Sequence, residues 1–118
     1  MLNKKILILG ASGQIGKELS IKLKDKLNLH CHARSEIAAT YFKENNINYI
    51  SGELKAKEII NEISASDIIF DLAAPNNGTL SQTKQFYKDR LELVIKNMKK
   101  KFKIYFCKFY KCFWIERT

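Results

Sequence analysis

The sequence predicts an α/β fold: a parallel sheet with helices on both faces. Three observations carry this. Strand-length apolar runs alternate with helical periodicities from residue 4 to about residue 100. The first run, residues 4–9, is apolar without alternation, as in a strand buried on both faces. The connections are short, so consecutive strands run parallel through right-handed crossovers.

The elements follow in order. After the first strand, residues 14 to about 26 form a helix. Ile15, Leu19, Leu23 and Leu27 recur every four positions, with Lys17, Lys22, Lys24 and Lys26 toward solvent. Residues 28–33 are a second strand. Residues 36–45 are a second helix, closed by the turn signal Asn45-Asn46. Residues 47–50 are a third strand. Residues 55–64 are a third helix, with Ile59, Ile60 and Ile63 on one face. Residues 66–72 are a fourth strand, and Asn76-Asn77-Gly78 is a loop. Ser81 caps a long helix reaching about Lys100, its apolar face drawn from Leu91, Val94, Ile95 and Met98. Residues 102–114, rich in aromatics, read as a fifth strand.

Size and composition set bounds. A chain of 118 residues with 46% hydrophobic content is one globular domain with a modest core. The opening apolar run is too short for a signal peptide, and no stretch reaches the roughly 18 apolar residues of a membrane span. A cytoplasmic protein with no membrane partner is expected. Cys31, Cys107 and Cys112 are an odd set without framework spacing and read as reduced thiols. The net charge of +9 is uneven: residues 1–83 carry +1 and residues 84–118 carry +8. The basic excess thus belongs to the end of the chain, where a solvated face is the ordinary reading.

The turn after the first strand carries the chemistry. Gly10, Gly13 and Gly16 are spaced three apart between an apolar strand and an amphipathic helix. This is the pattern of a dinucleotide-binding turn. Gly10 permits the tight bend, Gly13 lets backbone approach phosphate oxygens, and Gly16 lets the helix pack closely. The helix N-terminus offers unpaired N–H groups and a positive dipole end to a pyrophosphate. Ser12 offers a hydroxyl to a phosphate oxygen, or simply serves the turn. The fold is therefore expected to be Rossmann-type, truncated after about five strands.

Gly10-Ala11-Ser12-Gly13-Gln14-Ile15-Gly16, Ser51-Gly52-Glu53-Leu54 and Asp71-Leu72-Ala73-Ala74 stand in register. With these motifs the chain resembles the extended short-chain dehydrogenase/reductases, the NAD-dependent epimerase/dehydratase family. Many of those enzymes act on nucleotide sugars. The likeness covers residues 4 to about 100. It implies that Gly10, Gly13, Gln14, Ile15 and Gly16 hold the pyrophosphate, and that Glu53 and Leu54 meet the adenine. It also implies that Leu72, Ala73 and Ala74 pass the nicotinamide side. Glu53 is one methylene longer than the family's usual Asp. The end of the second strand selects NAD or NADP. Arg34 there favours the 2′-phosphate of NADP, and Glu36 is the competing NAD reading.

The resemblance also implies a catalytic Ser or Thr and a Tyr-x-x-x-Lys pair. Neither is present. Tyr41, Tyr49, Tyr87, Tyr105 and Tyr110 are followed four residues later by Asn45, Glu53, Leu91, Phe109 and Trp114. No catalytic residue is assigned, and the chain is expected to bind NADP or NAD with little or no turnover. The alternative is a catalytically silent NAD(P)-sensing protein that docks a partner through its aromatic end. Residues 1–100 form the partial cofactor domain and 101–118 a basic aromatic tail.

Other constellations are weaker. His30-Cys31-His32 lies on a strand with no fourth ligand at fitting spacing, so no metal site is assigned. Asp67 and Asp71 fit a strand edge or cap better than acid/base work. Lysines 99, 100, 101 and 103, interleaved with aromatics, could bind single-stranded nucleic acid, but a frayed basic tail is the simpler account. The tail is written almost wholly in residues with A/T-rich codons. Read one base later from residue 101, one permitted solution is Asn-Leu-Lys-Phe-Ile-Phe-Ala-Ser-Ser-Ile-Ser-Val-Phe-Gly, a family-like fifth strand. Sequencing the gene is expected to reveal a downstream frame with Tyr-x-x-x-Lys; its absence rules the frameshift out.

Overall fold

Lys5–Leu9 forms β1, and every other element is organised around it. Its Ile6, Leu7, Ile8 and Leu9 are all buried. Side chains alternate across a strand, so Ile6 and Ile8 enter one core and Leu7 and Leu9 the other. Burial of each such side chain is worth about 1.5–3 kcal/mol. One short strand thus anchors both halves of the molecule.

The computed structural model describes residues 4–75, 78–99, 101–108 and 111–117. Asn76, Asn77, Lys100, Phe109 and Tyr110, which the sequence reading uses, lie outside them. The remaining strands are β2 (Asn28–Ala33), β3 (Asn48–Ser51), β4 (Ile68–Asp71), β5 (Phe102–Lys108) and β6 (Lys111–Arg117). The helices are α1 (Gln14–Leu23), α2 (Ala38–Glu44), α3 (Lys57–Ala65) and α4 (Leu80–Asn97). The sheet runs β3-β2-β1-β4-β5-β6. Strands β1 to β5 are parallel, and β6 returns antiparallel to β5. This is the Rossmann-type α/β order expected, with one strand more. Among the described residues, no helix is long and apolar enough to cross a membrane.

Helices cover both faces. On one, Leu19, Ile21 and Leu23 of α1 and Phe42 of α2 pack over Ile6, Ile8, Leu29 and Cys31. On the other, Ile59 and Ile63 of α3 and Val94 of α4 pack over Leu7, Leu9, Ile69 and Ile104. The face expected for α3 is the buried one, and so is that of α4, where Leu91, Ile95 and Met98 flank Val94.

Four expectations need correction. Ile15 does not belong to the buried stripe of α1. It is 72% exposed, and the helix turns Gly16 and Ser20 inward instead. The phase is set by Gly16, where a Cβ would lie 2.7 Å from the backbone of Ala11. The cap of α4 is Thr79, not Ser81. Thr79 Oγ1 accepts from the Gln82 N–H, and Gln82 Oε1 accepts from the Thr79 N–H, a reciprocal capping box. The apolar run after residue 101 is two strands rather than one, with Ile104 paired to Ile115. Cys112 is disulfide-bonded, so the thiols are not all reduced; Cys31 is free and buried.

The Asn45-Asn46 signal has a clear physical basis. Asn46 takes φ +58° at the end of α2, which Asn tolerates, and lets Ile47 N–H donate to Phe42 O. Phe42 is fully buried and its ring stacks on Tyr49 at 4.6 Å between centroids. Truncation by Phe42→Ala is expected to cost about 3–5 kcal/mol of unfolding free energy, read as a lowered urea midpoint.

Candidate functional site

The register of the sheet places Leu9 between His32 of β2 and Asp71 of β4. These strand ends form the floor of the site. Parallel strands leave a crevice at their carboxyl ends where the chain order reverses, here between β1 and its two neighbours. Loops leaving β1, β2, β3 and β4 surround an open cleft of about 650 Å³ at this point.

The first loop is the glycine turn. Gly10 has φ +73°, and a Cβ there would lie 2.6 Å from Ala73 Cα. Both facts require glycine. Ala11 N–H donates to His32 O and Leu72 N–H to Leu9 O, so β1, β2 and β4 are laced together just below the turn. Gly13 is the N-cap of α1 and supplies no capping side chain. A Cβ on Gly13 would meet nothing within 4 Å. The helix therefore presents its first-turn N–H groups to open space. A phosphate fits such a cradle.

The second and third loops are joined. Gly52, at φ +138°, donates its N–H to Ala33 O. Its carbonyl lies 2.8 Å from His32 Nε2. His32 is almost fully buried, and its Nδ1 has no hydrogen-bond partner. Burial, the largest cause, keeps the imidazole below its ordinary value, assisted by nearby Arg90; the bond to Gly52 opposes this. The ring is therefore neutral, with Nε2–H donating to Gly52. Just past these ties stand Arg34 and Glu53, whose side chains pair at 3.3 Å while remaining about three-quarters exposed.

The fourth loop is braced by α4. Arg90 is bonded through two nitrogens to Asp71, Nε to Oδ2 at 3.2 Å and one terminal nitrogen to Oδ1 at 2.9 Å. Both side chains are largely buried. Asp71 Oδ1 also accepts from Ala73 N–H at 3.3 Å, which fixes the loop that carries Ala73 and Ala74. Phe86, one turn before Arg90, lines the cleft beside it.

The structure thus gathers Gly10, Ser12, Gly13 and Arg34 with Glu53, Leu72, Ala73 and Ala74 around one cleft. Gln14, Ile15, Gly16 and Leu54 do not line it. Gln14 and Ile15 are exposed at the start of α1, Gly16 is buried against Ala11, and Leu54 packs on the core under α3. His32, Ser35, Phe86 and Arg90 line the cleft without having been anticipated. Asp67 and Asp71 occupy opposite ends of the β4 region. Asp67 accepts from the Lys5 backbone N–H and from Lys99 Nζ, each at 2.9 Å.

A model of the NAD dependent epimerase/dehydratase family matches residues 6–99. The chain belongs to this family. Membership implies a nicotinamide dinucleotide as cofactor, and the glycine cradle fits one. No curated protein matches the chain. Among solved structures, the epimerase/dehydratase chain is similar to Pen from Bacillus thuringiensis at 26% identity and a TM-score of 0.61, over 80% of this chain and 34% of that one. It is similar to UDP-N-acetylglucosamine 4-epimerase from Bacillus cereus at 18% identity and a TM-score of 0.58, over 88% and 36%. A short-chain dehydrogenase/reductase from Veillonella parvula matches at 18% identity and a TM-score of 0.53, over 80% and 41%. The last two show the fold. The chain spans 34% to 41% of the length of these structures.

The buried histidine gives a pH dependence. Its value is lowered from 6.5 on folding, so the unfolded chain binds the proton more readily. Stability from this source is complete above about pH 6.5 and declines as pH falls through the lowered native value. His30 adds in the same direction, its value lowered mainly by burial and also by Lys5. Thermal unfolding midpoints are expected to drop between about pH 7 and pH 5. The drop should be smaller in His32→Gln, which keeps a donor toward Gly52 and does not titrate.

Proposed function

We propose that this chain is the nicotinamide-dinucleotide-binding half of an enzyme acting on a nucleotide sugar. The observation that carries the reading is the uncapped N-terminus of α1 facing open space beside Gly13. Backbone N–H groups of that turn hold the pyrophosphate, with Ser12 adding a hydroxyl. The adenosine end lies toward Arg34 and Glu53, where Arg34 offers a cation to the 2′-phosphate of NADP. The nicotinamide end passes Leu72, Ala73 and Ala74, whose small side chains permit close approach. When bound, the nicotinamide accepts or returns a hydride at a sugar carbon.

The residues of this chain bind and orient; they do not supply proton transfer. No Tyr in the sequence is followed four residues later by Lys. The sugar-nucleotide assignment draws on the epimerase neighbour from Bacillus cereus and on the family.

A second reading rests on the sheet edge. Phe113 and Trp114 of β6 are 43% and 64% exposed. They would serve a cofactor-sensing protein that works through a partner.

Calorimetric titration with NADH and NADPH tests the main reading. Gly13→Ser is the decisive variant, because Ser is a good helix cap and meets no protein atom there. Unfolding midpoints should be unchanged or raised. Affinity for both nucleotides should fall about tenfold or more, since even one displaced charge-assisted bond is worth about 1.5–3 kcal/mol. The unmodified protein with NADPH and a UDP-sugar is expected to show no turnover. Failure to bind either nucleotide overturns the assignment.

A further inference from the structure

The cleft contains two arginines, and each already faces a carboxylate. Arg90 is locked to Asp71, and Arg34 is paired with Glu53. The Asp71 pair is buried and braces the β4 loop. It belongs to the framework. The Arg34 pair is exposed and stands at the rim. A phosphate entering near Arg34 therefore meets a cation that is already matched.

The pairing is built into the backbone. Arg34 follows Ala33 directly, and Glu53 follows Gly52 directly. Ala33 O accepts the Gly52 N–H at 3.2 Å, and His32 Nε2–H donates to Gly52 O. Two bonds thus fix the strand ends from which both side chains extend. Glu has the extra methylene needed to reach the Arg34 Nε from this position.

We propose that Glu53 sets the selectivity of this site against the 2′-phosphate of NADP by holding Arg34. The inference rests on the dinucleotide reading above. A 2′-hydroxyl is neutral and leaves the pair intact. A 2′-phosphate can use Arg34 only by drawing the guanidinium away, and a carboxylate is then left beside a dianion. An exposed ion pair alone is worth about 0–1 kcal/mol, so displacing it is a small cost. Repulsion between the freed carboxylate and the phosphate adds a further cost that salt screens. The selectivity so produced is modest, electrostatic and salt-dependent. The cofactor choice is then read from Arg34 and Glu53 together, not from Arg34 alone.

The test is the ratio of NADPH to NADH affinity in the full chain, measured by calorimetry at low and high salt. Glu53→Gln keeps the size of the side chain and a carbonyl acceptor but removes the charge. It should tighten NADPH binding by about three- to tenfold, given that about 1.4 kcal/mol is tenfold, while NADH changes by less than about twofold. The gain should shrink at high salt, and shrink again when Glu53→Gln is made in an Arg34→Ala background. If NADH binds but the ratio in Glu53→Gln is unchanged or falls, the selectivity role is wrong and the dinucleotide reading stands. If neither nucleotide binds the unmodified protein, both fail.

Discussion

The burial of β1 on both of its faces is the constraint on which the rest depends. A strand exposed on one side would need only one apolar row. Here Ile6 and Ile8 serve one core while Leu7 and Leu9 serve the other. The two helical layers never meet through the sheet, so β1 and its neighbours are what they share. That requirement fixes the position of Gly10 too. The chain leaves a strand hemmed in by β2 and β4, and it must turn where Ala73 already crowds it. Only a residue without a Cβ makes that exit. The ligand cradle is a consequence of how the central strand ends.

The site is assembled from strand ends rather than from any continuous segment. Three hydrogen bonds do most of the alignment: Ala11 to His32, Leu72 to Leu9, and Gly52 to Ala33. Each joins the loop of one strand to the end of its neighbour. Charges are then matched locally, Asp71 with Arg90 under the loop and Glu53 with Arg34 at the rim. At the opposite end of the sheet Asp67 ties β1 to the end of α4 through Lys5 and Lys99. The Lys5 N–H holds the Asp67 carboxyl below its usual range against the opposing effect of burial, with Lys99 adding to it. The sheet is thus pinned electrostatically at both ends, with an apolar centre.

Much of this was legible in the sequence, because the signals were local. An apolar run without alternation reports a doubly buried strand. Three glycines between such a run and a helix report the turn. Ile59 and Ile63, or Leu91 and Val94, report a helical face directly. What was not legible depends on contacts distant in sequence. Nothing near His32 reveals that its ring will meet Gly52, twenty positions away. Nothing near Asp71 reveals Arg90. The misplacement of Ile15 has the same origin: four-residue spacing fits several helix phases, and the close approach of Gly16 to Ala11 chose another. The division of the last apolar run into β5 and β6 escaped notice because residues 102–117 contain no Gly, Pro, Asn or Asp to punctuate them.

The contact of Gly16 with Ala11 has an evolutionary consequence. With backbone against backbone, the base of the cradle has no slack, and side chains introduced there would push α1 off the sheet. Arg34 and Glu53 stand free of such packing, each well over half open to solvent. Mutational drift can therefore rewrite what the lip of the cavity prefers while its bed stays the same. In a lineage of such chains, invariance should gather at the glycines and diversity at the two residues that follow β2 and β3.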